Sequence, residues 1–372
     1  MTRPRVVVAG LGDTGLLTAI HLARHRGVEV VGISSKPGLV SGQELGLRLA
    51  RPDDWQRNYR VGFDQFRRLR GVRTVHAELV GLDVEARTVL LRRVDGTDVR
   101  EPYDVLVIST GVSNGFWRRP HVQTEDDVDL DLARQHRTMA DASTVVVVGG
   151  GAAAVSSALQ IATRWPEKAV ALCFPGARAL PQHHPRTWDH VRRRLLAAGV
   201  DLRPGHRAVL PNGFTADRIT TEELTWSTGQ SATPADAVLW AIGRVSPNTG
   251  WLPPGLLDEA GFVRADLTLQ TPEHPEIFAI GDVAATDPLR SSARARADGL
   301  LASNIRAHLT GRELKAFRPV ERRWGSVLGV EADGLRVFAP NGRPFRFPAW
   351  SVRAVLQPWI VDRGIYGGIR RR

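Results

Sequence analysis

Apolar positions along this chain change their period in a regular order. RVVVA at 5–9 is an unbroken run of strand length, while LLTAIHLARH at 16–25 sets Leu16, Ala19, Ile20 and Ala23 on one face at helical spacing. With a second strand expected at 28–33, this predicts a βαβ opening. Residues 72–101 alternate as short strands around the turn DGTD, and YDVLVIST at 103–110 is continuous enough for a buried strand. A polar stretch occupies 113–143. The opening pattern then repeats as strand 144–148, turn 149–154, helix VSSALQIATRW at 155–165 and strand 169–174. Beyond it we expect a strand-rich insert at 207–231, a buried strand at 236–243 and a Pro- and Gly-rich connection at 244–276. EIFAIGDVA at 276–284 predicts a strand entering a turn, and SSARARADGLLASNIRAHL at 291–309 a helix. Residues 316–372 differ in texture, with short strands such as DGLRVF and a tryptophan-containing apolar end.

Both strand-to-helix turns are rich in glycine. In GLGDTG, Gly10, Gly12 and Gly15 fill the places of G-x-G-x-x-G; in GGGAAA, Gly149 and Gly151 fill the first two and Ala154 the third. In such a turn the first glycine permits the tight bend, the second lets backbone approach a pyrophosphate, and the third lets helix and strand pack closely. The helix amino terminus attracts the negative charge. One such turn is a weak signal, but two in the same strand–turn–helix context point to two dinucleotides, a donor and a relay. A third signal separates them. IFAIGDVA places Gly281 and Asp282 at a strand end, where a carboxylate can accept hydrogen bonds from the ribityl hydroxyls of a flavin.

Length, charge and cysteine usage narrow the class. With 372 residues the chain suits two or three domains, and 42% apolar with 24% charged residues is ordinary globular composition. The net charge of +11 comes almost wholly from arginine, since Lys36, Lys168 and Lys315 are the only lysines, and the basic residues are scattered rather than gathered. We expect no nucleic-acid partner on that basis. A single cysteine, Cys173, excludes an internal disulfide and a redox-active cysteine pair, and is compatible with a reducing cytoplasm. No signal-like segment precedes the first strand and no apolar run reaches spanning length, so the expected location is cytoplasmic, with peripheral contact at the inner face of a membrane through the C-terminal segment. His183 and His184 are adjacent and read as part of a polar loop, and no metal site is expected.

GLGDTG, STG at 109–111, GGGAAA, AIGR at 241–244 and IFAIGD together resemble the two-dinucleotide flavoprotein oxidoreductases of the pyridine nucleotide-disulfide reductase fold, over residues 5 to about 315. WPEKAVAL and LKAFRP carry a closer likeness to the ferroptosis suppressor or apoptosis-inducing-factor-like quinone reductases, alongside the type II NADH dehydrogenases. The resemblance implies an α/β fold of two Rossmann-like dinucleotide-binding domains plus a small C-terminal α+β domain. The FAD domain would span 1–114 and 249–315, interrupted by an NAD(P) domain at 115–248, with the C-terminal domain at 316–372. It implies FAD and NAD(P)H as cofactors and a quinone or other small-molecule electron acceptor. Gly10 through Thr14, Asp13 included, would hold the flavin pyrophosphate, with Arg48 reaching it from the neighbouring loop. Val80 would contact the adenine side, Asp282 the ribityl chain, and Thr110 and Gly111 would close the pocket. Gly149, Gly151, Ala154 and Gly243 would serve the nicotinamide dinucleotide.

The sequence departs from that pattern in several places. The acidic residue expected about 20 positions past the first loop is absent. Ser34, Ser35 and Lys36 stand there, a serine able to reach ribose and a lysine able to face phosphate. Ser156 and Ser157 occupy the region where relatives carry a glutamate near the nicotinamide. Arg178 in CFPGARALP could pair a 2′-phosphate, leaving NADH and NADPH both open. No cysteine follows strand two, which removes the disulfide reductase branches. Ala293 and Ala297, flanking Arg294 and Arg296, replace the glutamines that line a type II quinone site, so a reductase or oxidase of a polar small molecule stays open. So does a non-enzymatic redox-sensing flavoprotein. Trp350 and Trp359 lie among aliphatics in a tail where Pro358 is expected to interrupt the helix. No proton-transfer residue is assigned.

Overall fold

The computed structural model describes residues 3–25, 27–113, 119–243, 245–293, 297–321 and 325–371. β1 (Arg5–Ala9) leads into α1 (Asp13–Leu22) and returns as β2 (Glu29–Ser34). The next crossover holds β3 (Gly38–Val40), α2 (Leu45–Ala50), α3 (Pro52–Tyr59) and β4 (Arg60–Gly62). β5 (Val72–Asp83) continues into β6 (Thr88–Arg93) and β7 (Asp98–Pro102), and β8 (Val105–Ile108) and β9 (Val112–Ser113) close this part. After α4 (Glu125–Asp141) comes a second unit of β10 (Thr144–Val148), α5 (Ala152–Arg164), β11 (Ala169–Phe174), α6 (Pro185–Ala197), β12 (Asp201–Pro204) and β13 (Ala237–Trp240). β14 (Ser246–Pro247) pairs back onto β9, and β15 (Ile277–Ala279) rejoins the first sheet ahead of α7 (Ala297–Leu309). The chain ends with β16 (Gly325–Glu331), β17 (Gly334–Phe338), β18 (Pro344–Pro348) and α8 (Ala349–Ser351), which runs on as π-helical turns over Val352–Ile365.

The first sheet has the order β15-β8-β1-β2-β5-β6-β7, parallel from β15 to β5 and antiparallel beyond. The second is a parallel sheet ordered β12-β11-β10-β13. β1 is apolar throughout because both of its faces are covered. Val6 and Val8 pack with Leu16, Ile20, Leu301 and Ile305, whereas Val7 and Ala9 pack with Ile277, Val263 and Leu256 on the other side. These are two Rossmann-like units, the first completed by a strand that follows the second in the chain.

Two expectations need correction, and one stretch holds a helix that the sequence reading did not assign. The polar stretch at 113–143 contains α4, whose Val128, Leu132, Gln135 and Met139 form one buried stripe on an otherwise charged helix. Its start was readable: Thr124 and Asp127 form a reciprocal capping box, the Asp127 carboxylate accepting from the Thr124 N–H at 2.8 Å and the Thr124 hydroxyl accepting from the Asp127 N–H at 3.2 Å. The insert expected at 207–231 to be strand-rich forms only isolated bridges, such as Ala208 with Trp226 and Leu224 with Thr233, and no continuous strand. Pro358 does not interrupt the C-terminal helix, which passes through it. The clash that excludes proline from an α-helix is with the carbonyl four residues back, and the wider i→i+5 turn displaces that carbonyl.

The C-terminal segment divides its packing between the two units. Val327, Leu328 and Phe338 join the core of the second unit beside Val155, Leu159 and Val191. Gln160 Nε2 donates to the Leu328 carbonyl at 3.2 Å, and Arg194 Nε to Glu331 at 2.9 Å. The final residues cross to the first unit, where Tyr366 meets Phe66 edge-on at 5.4 Å between ring centroids.

Candidate functional site

A cleft of about 660 Å³ opens at the carboxyl ends of β1, β2 and β8. Gly10, Gly12, Asp13, Thr14, Ser34, Lys36, Arg48, Val80, Thr110, Gly111, Gly281 and Asp282, which lie far apart in the sequence, all line it. Gly15 is one turn deeper. A Cβ there would fall 1.9 Å from the Gly10 carbonyl oxygen, so α1 closes directly onto the turn. Gly10 has φ +103 and would bring a Cβ within 2.7 Å of the Ser109 carbonyl oxygen, so the turn tolerates no side chain. At Gly12, by contrast, a Cβ would meet nothing within 4 Å, which leaves the backbone open to an approaching ligand. The first turn of α1, whose N–H groups have no acceptor within the helix, borders the same opening.

Asp13 is turned away from that role. Its carboxylate accepts from Ser41 Oγ at 2.7 Å, Gly42 N at 3.2 Å and Gln43 Nε2 at 3.3 Å, and so ties the 41–43 segment to the start of α1. A carboxylate facing a pyrophosphate would repel it, and these three donors hold it elsewhere. Arg48 belongs to α2 rather than to a loop, is 5% exposed, and lies over the Trp55 ring at 5.0 Å from its centroid. Burial, reinforced by Arg119 and opposed by Asp131, lowers its pKa to about 10. Burial likewise lowers Lys36 to about 8, against the pull of Glu78 and Asp131. Of the two, only Arg48 is placed to serve an anionic ligand, whose countercharge would offset its burial. The open backbone at Gly12, the bordering helix amino terminus and the Arg48 guanidinium fit a dinucleotide pyrophosphate.

Lys36 itself does not reach into the cleft for phosphate. Nζ donates to the carbonyls of Arg119 at 3.0 Å and His121 at 2.6 Å and to Ser35 Oγ at 3.3 Å, which uses the three donors an ammonium has. Ser34 Oγ accepts from the Lys36 N–H at 3.1 Å. Another part of the wall lies where β9 pairs with β14 between the two units, and sequence reasoning missed it. Asn248 Nδ2 donates to the Thr110 carbonyl at 3.0 Å, its Oδ1 accepts from Ser113 Oγ at 2.7 Å, and its own carbonyl accepts from Thr110 Oγ1 at 2.8 Å. Only the run of turn-forming residues in SPNTG hinted at it.

The second glycine turn repeats the geometry of the first. Gly149 has φ +139 and a Cβ would stand 2.1 Å from the Ala241 carbonyl oxygen; Gly151 is open, with nothing within 4 Å, and caps α5, which begins at Ala152 rather than at 155. Ala154 is buried beneath the turn, and Gly243, with φ +70, is also open. None of the four lines the first cleft. Arg244 of AIGR lies outside the described residues. Arg178 is folded into its own loop, donating to the carbonyls of Leu180 at 3.2 Å, His183 at 3.3 Å and Pro181 at 3.1 Å. These carbonyls occupy the guanidinium, so Arg178, one candidate for a 2′-phosphate, is turned to its own loop. Ser156 and Ser157 are 6% and 0% exposed and face α2. Ala297 is buried in α7, and Arg294 and Arg296 lie outside the described residues. His184 does more than sit in a loop: its Nδ1 accepts from the Arg186 N–H and caps α6. Among the described residues no three His, Cys, Asp or Glu side chains are grouped for a metal, and no helix is long and apolar enough to cross a membrane.

The chain matches the pyridine nucleotide-disulphide oxidoreductase family over residues 4–299. It is 29% identical over 220 residues to an FAD-dependent oxidoreductase of Flammulina velutipes, covering 58% of this chain and 66% of that protein, just under two thirds of its length. It is 24% identical over 338 residues to the oxidoreductase ptaL of Pestalotiopsis fici, covering 89% of this chain and 85% of that one. In fold it is similar to an NAD-dependent persulfide reductase from A. fulgidus, with a TM-score of 0.67 at 20% identity over 90% of this chain and 63% of that chain. A family match that spans both glycine turns and the strand after the second unit makes this chain a member of the pyridine nucleotide-disulphide oxidoreductases, flavin-dependent and linked to NAD(P)H.

Proposed function

We propose that the protein is an FAD-dependent NAD(P)H oxidoreductase that passes electrons to a quinone. The fit of the first cleft to a dinucleotide pyrophosphate carries the flavin part of this reading. The Gly10–Thr14 backbone holds the pyrophosphate, with Arg48 as countercharge. Val80 borders the adenine, Asp282 accepts from the ribityl hydroxyls, and Thr110 and Gly111, braced by Asn248, form the wall. Gly149, Gly151, Ala154 and Gly243 receive NAD(P)H. When bound, FAD supplies acceptance of a hydride from reduced nicotinamide and delivery of electrons to a second substrate. The chain's own contribution is placement, because reacting atoms must be held at about 3–3.5 Å.

Two observations favour a quinone. The only cysteine, Cys173, is fully buried, and burial raises its pKa to about 12, so thiol chemistry has no reactive sulfur. The C-terminal helix also presents Trp350, Val355, Trp359, Ile360 and Ile365 to solvent, at the spacing of one face of a wide helix, with Trp350 69% and Trp359 58% exposed. Arg353 and Arg363 flank this face, Arg363 lying over the Trp359 ring at 4.9 Å. Aromatic and aliphatic side chains rimmed by arginine suit the interface of an anionic membrane, where quinones dissolve. Anaerobic titration of the yellow protein with NADH and with NADPH should bleach the flavin, and a short-chain quinone should restore the colour faster than dyes, oxygen or ferredoxin. Failure of every quinone to do so removes this acceptor.

A further inference from the structure

We infer that residues 119–123 form a strap closing the adenosine end of the FAD cleft, fastened by Lys36 from the position where a ribose-reading carboxylate is expected. The inference rests on the reading that FAD occupies the first cleft. Arg119, Pro120, His121 and Gln123 line that cleft although they belong to the crossover leading to the second unit. The strap is stitched to two strand ends. From the end of β2, Lys36 Nζ holds the Arg119 and His121 carbonyls, and the Ser35 carbonyl accepts from the Gln123 N–H at 2.9 Å. From β5, Glu78 accepts from the Val122 N–H at 3.2 Å and pairs with His121 Nδ1 at 3.1 Å, while His76 Nε2 meets the Gln123 carbonyl at 3.0 Å.

A carboxylate at position 36 could not do this. At Arg119 and His121 the strap presents carbonyl oxygens to position 36, and only a donor can bind them; a lysine supplies three donors and no acceptor. Where an acid would contact ribose directly, a donor here fastens a covering segment. Glu78 takes the complementary part, accepting from a strap N–H that Lys36 could not serve. The strap thereby retains the cofactor, with Lys36 as a positioning residue that acts through backbone.

The test compares the FAD-loaded wild type with Lys36→Met, which keeps the side-chain length and removes the donors, and with Glu78→Ala, which releases the same strap from the other side. We expect each substitution to speed FAD release at least tenfold, read from the rise in flavin fluorescence on dilution. Amide hydrogen exchange at Val122 and Gln123 should accelerate to a similar extent, with amides of β10 and β11 unchanged. Lys36→Arg should restore part of both. Faster release with unchanged exchange at 122 and 123 would mean that the ammonium touches the cofactor directly, and overturns the strap; so does no change in either readout. If the wild type does not hold FAD, the cofactor reading fails, and exchange at 122 and 123 in the flavin-free variants still decides whether Lys36 fastens the segment.

Discussion

Gly46 of α2 and Ser156 of α5 meet backbone to backbone: a Cβ at position 46 would stand 2.7 Å from the Ser156 carbonyl oxygen and 2.7 Å from the Ser157 Cα. This contact joins the helix that carries Arg48 to the helix that follows the second glycine turn. Gly46→Ala must push the two apart. Overpacking of this kind costs about 1–3 kcal/mol, visible in denaturant unfolding, and the displacement of Arg48 should weaken FAD binding in the same variant. A protein of unchanged stability and affinity would show that the helices are free to separate.

Asn248 spans the crossing between the two units with a donor and an acceptor, so Asn248→Ala leaves the Thr110 carbonyl and the Ser113 hydroxyl without these partners. The loss should be about 1–2 kcal/mol of stability. FAD affinity should fall as well, measured by equilibrium titration of the flavin-free protein, because Thr110 and Gly111 form the cleft wall.

Glu44 gives the fold a pH dependence. It sits at φ +57 ahead of α2, with its carboxyl against Gly329 of β16, and burial raises its pKa to about 7. The folded state therefore prefers the protonated form. Its contribution is fully present below the ordinary carboxylate pKa and disappears as pH rises through about 7. Glu44→Gln should remove up to about 3 kcal/mol of that loss and raise the melting temperature at pH 8 relative to wild type while changing little at pH 4. Parallel melting curves across this range for both proteins would refute the assignment.

Cys173 should be inert. Its thiol stays protonated in the folded protein, so iodoacetamide should label it only in denaturant, and Cys173→Ala should retain nicotinamide-dependent bleaching of the flavin. A large loss of that reaction on substitution would bring sulfur chemistry back into consideration.

The aromatic face of the C-terminal helix predicts sedimentation with vesicles containing anionic phospholipid. Binding should weaken as salt rises, because the arginines contribute through screened charge. Trp350→Ser combined with Trp359→Ser should abolish it while leaving soluble-quinone reduction intact. A wild-type protein that stays in the supernatant would exclude this surface.

Much of the framework is visible in the pattern of residues. β10 at 144–148 and β11 at 169–174 coincide with their apolar runs because a strand covered on both faces must be apolar throughout, and few other arrangements permit four consecutive valines. α4 leaves little apolar signature in the sequence because its buried stripe is narrow and most of its surface is charged. α2 and α3 leave none because each is too short for helical periodicity to accumulate.

The sequence by itself determined the two sheets and the glycine turns, since backbone tolerance at Gly10 and Gly149 and the burial of β1 and β10 are local demands that few residues meet. It could not determine which partner each charged side chain would take. Asp13, Lys36 and Arg178 all stand where a ligand contact is plausible, yet each has its hydrogen bonds directed to neighbouring chain. Those partners lie in the 41–43 segment, the 119–121 strap and a turn folded on itself. Only tertiary structure brings such donors and acceptors within about 3 Å, and that proximity decides which groups remain for a cofactor.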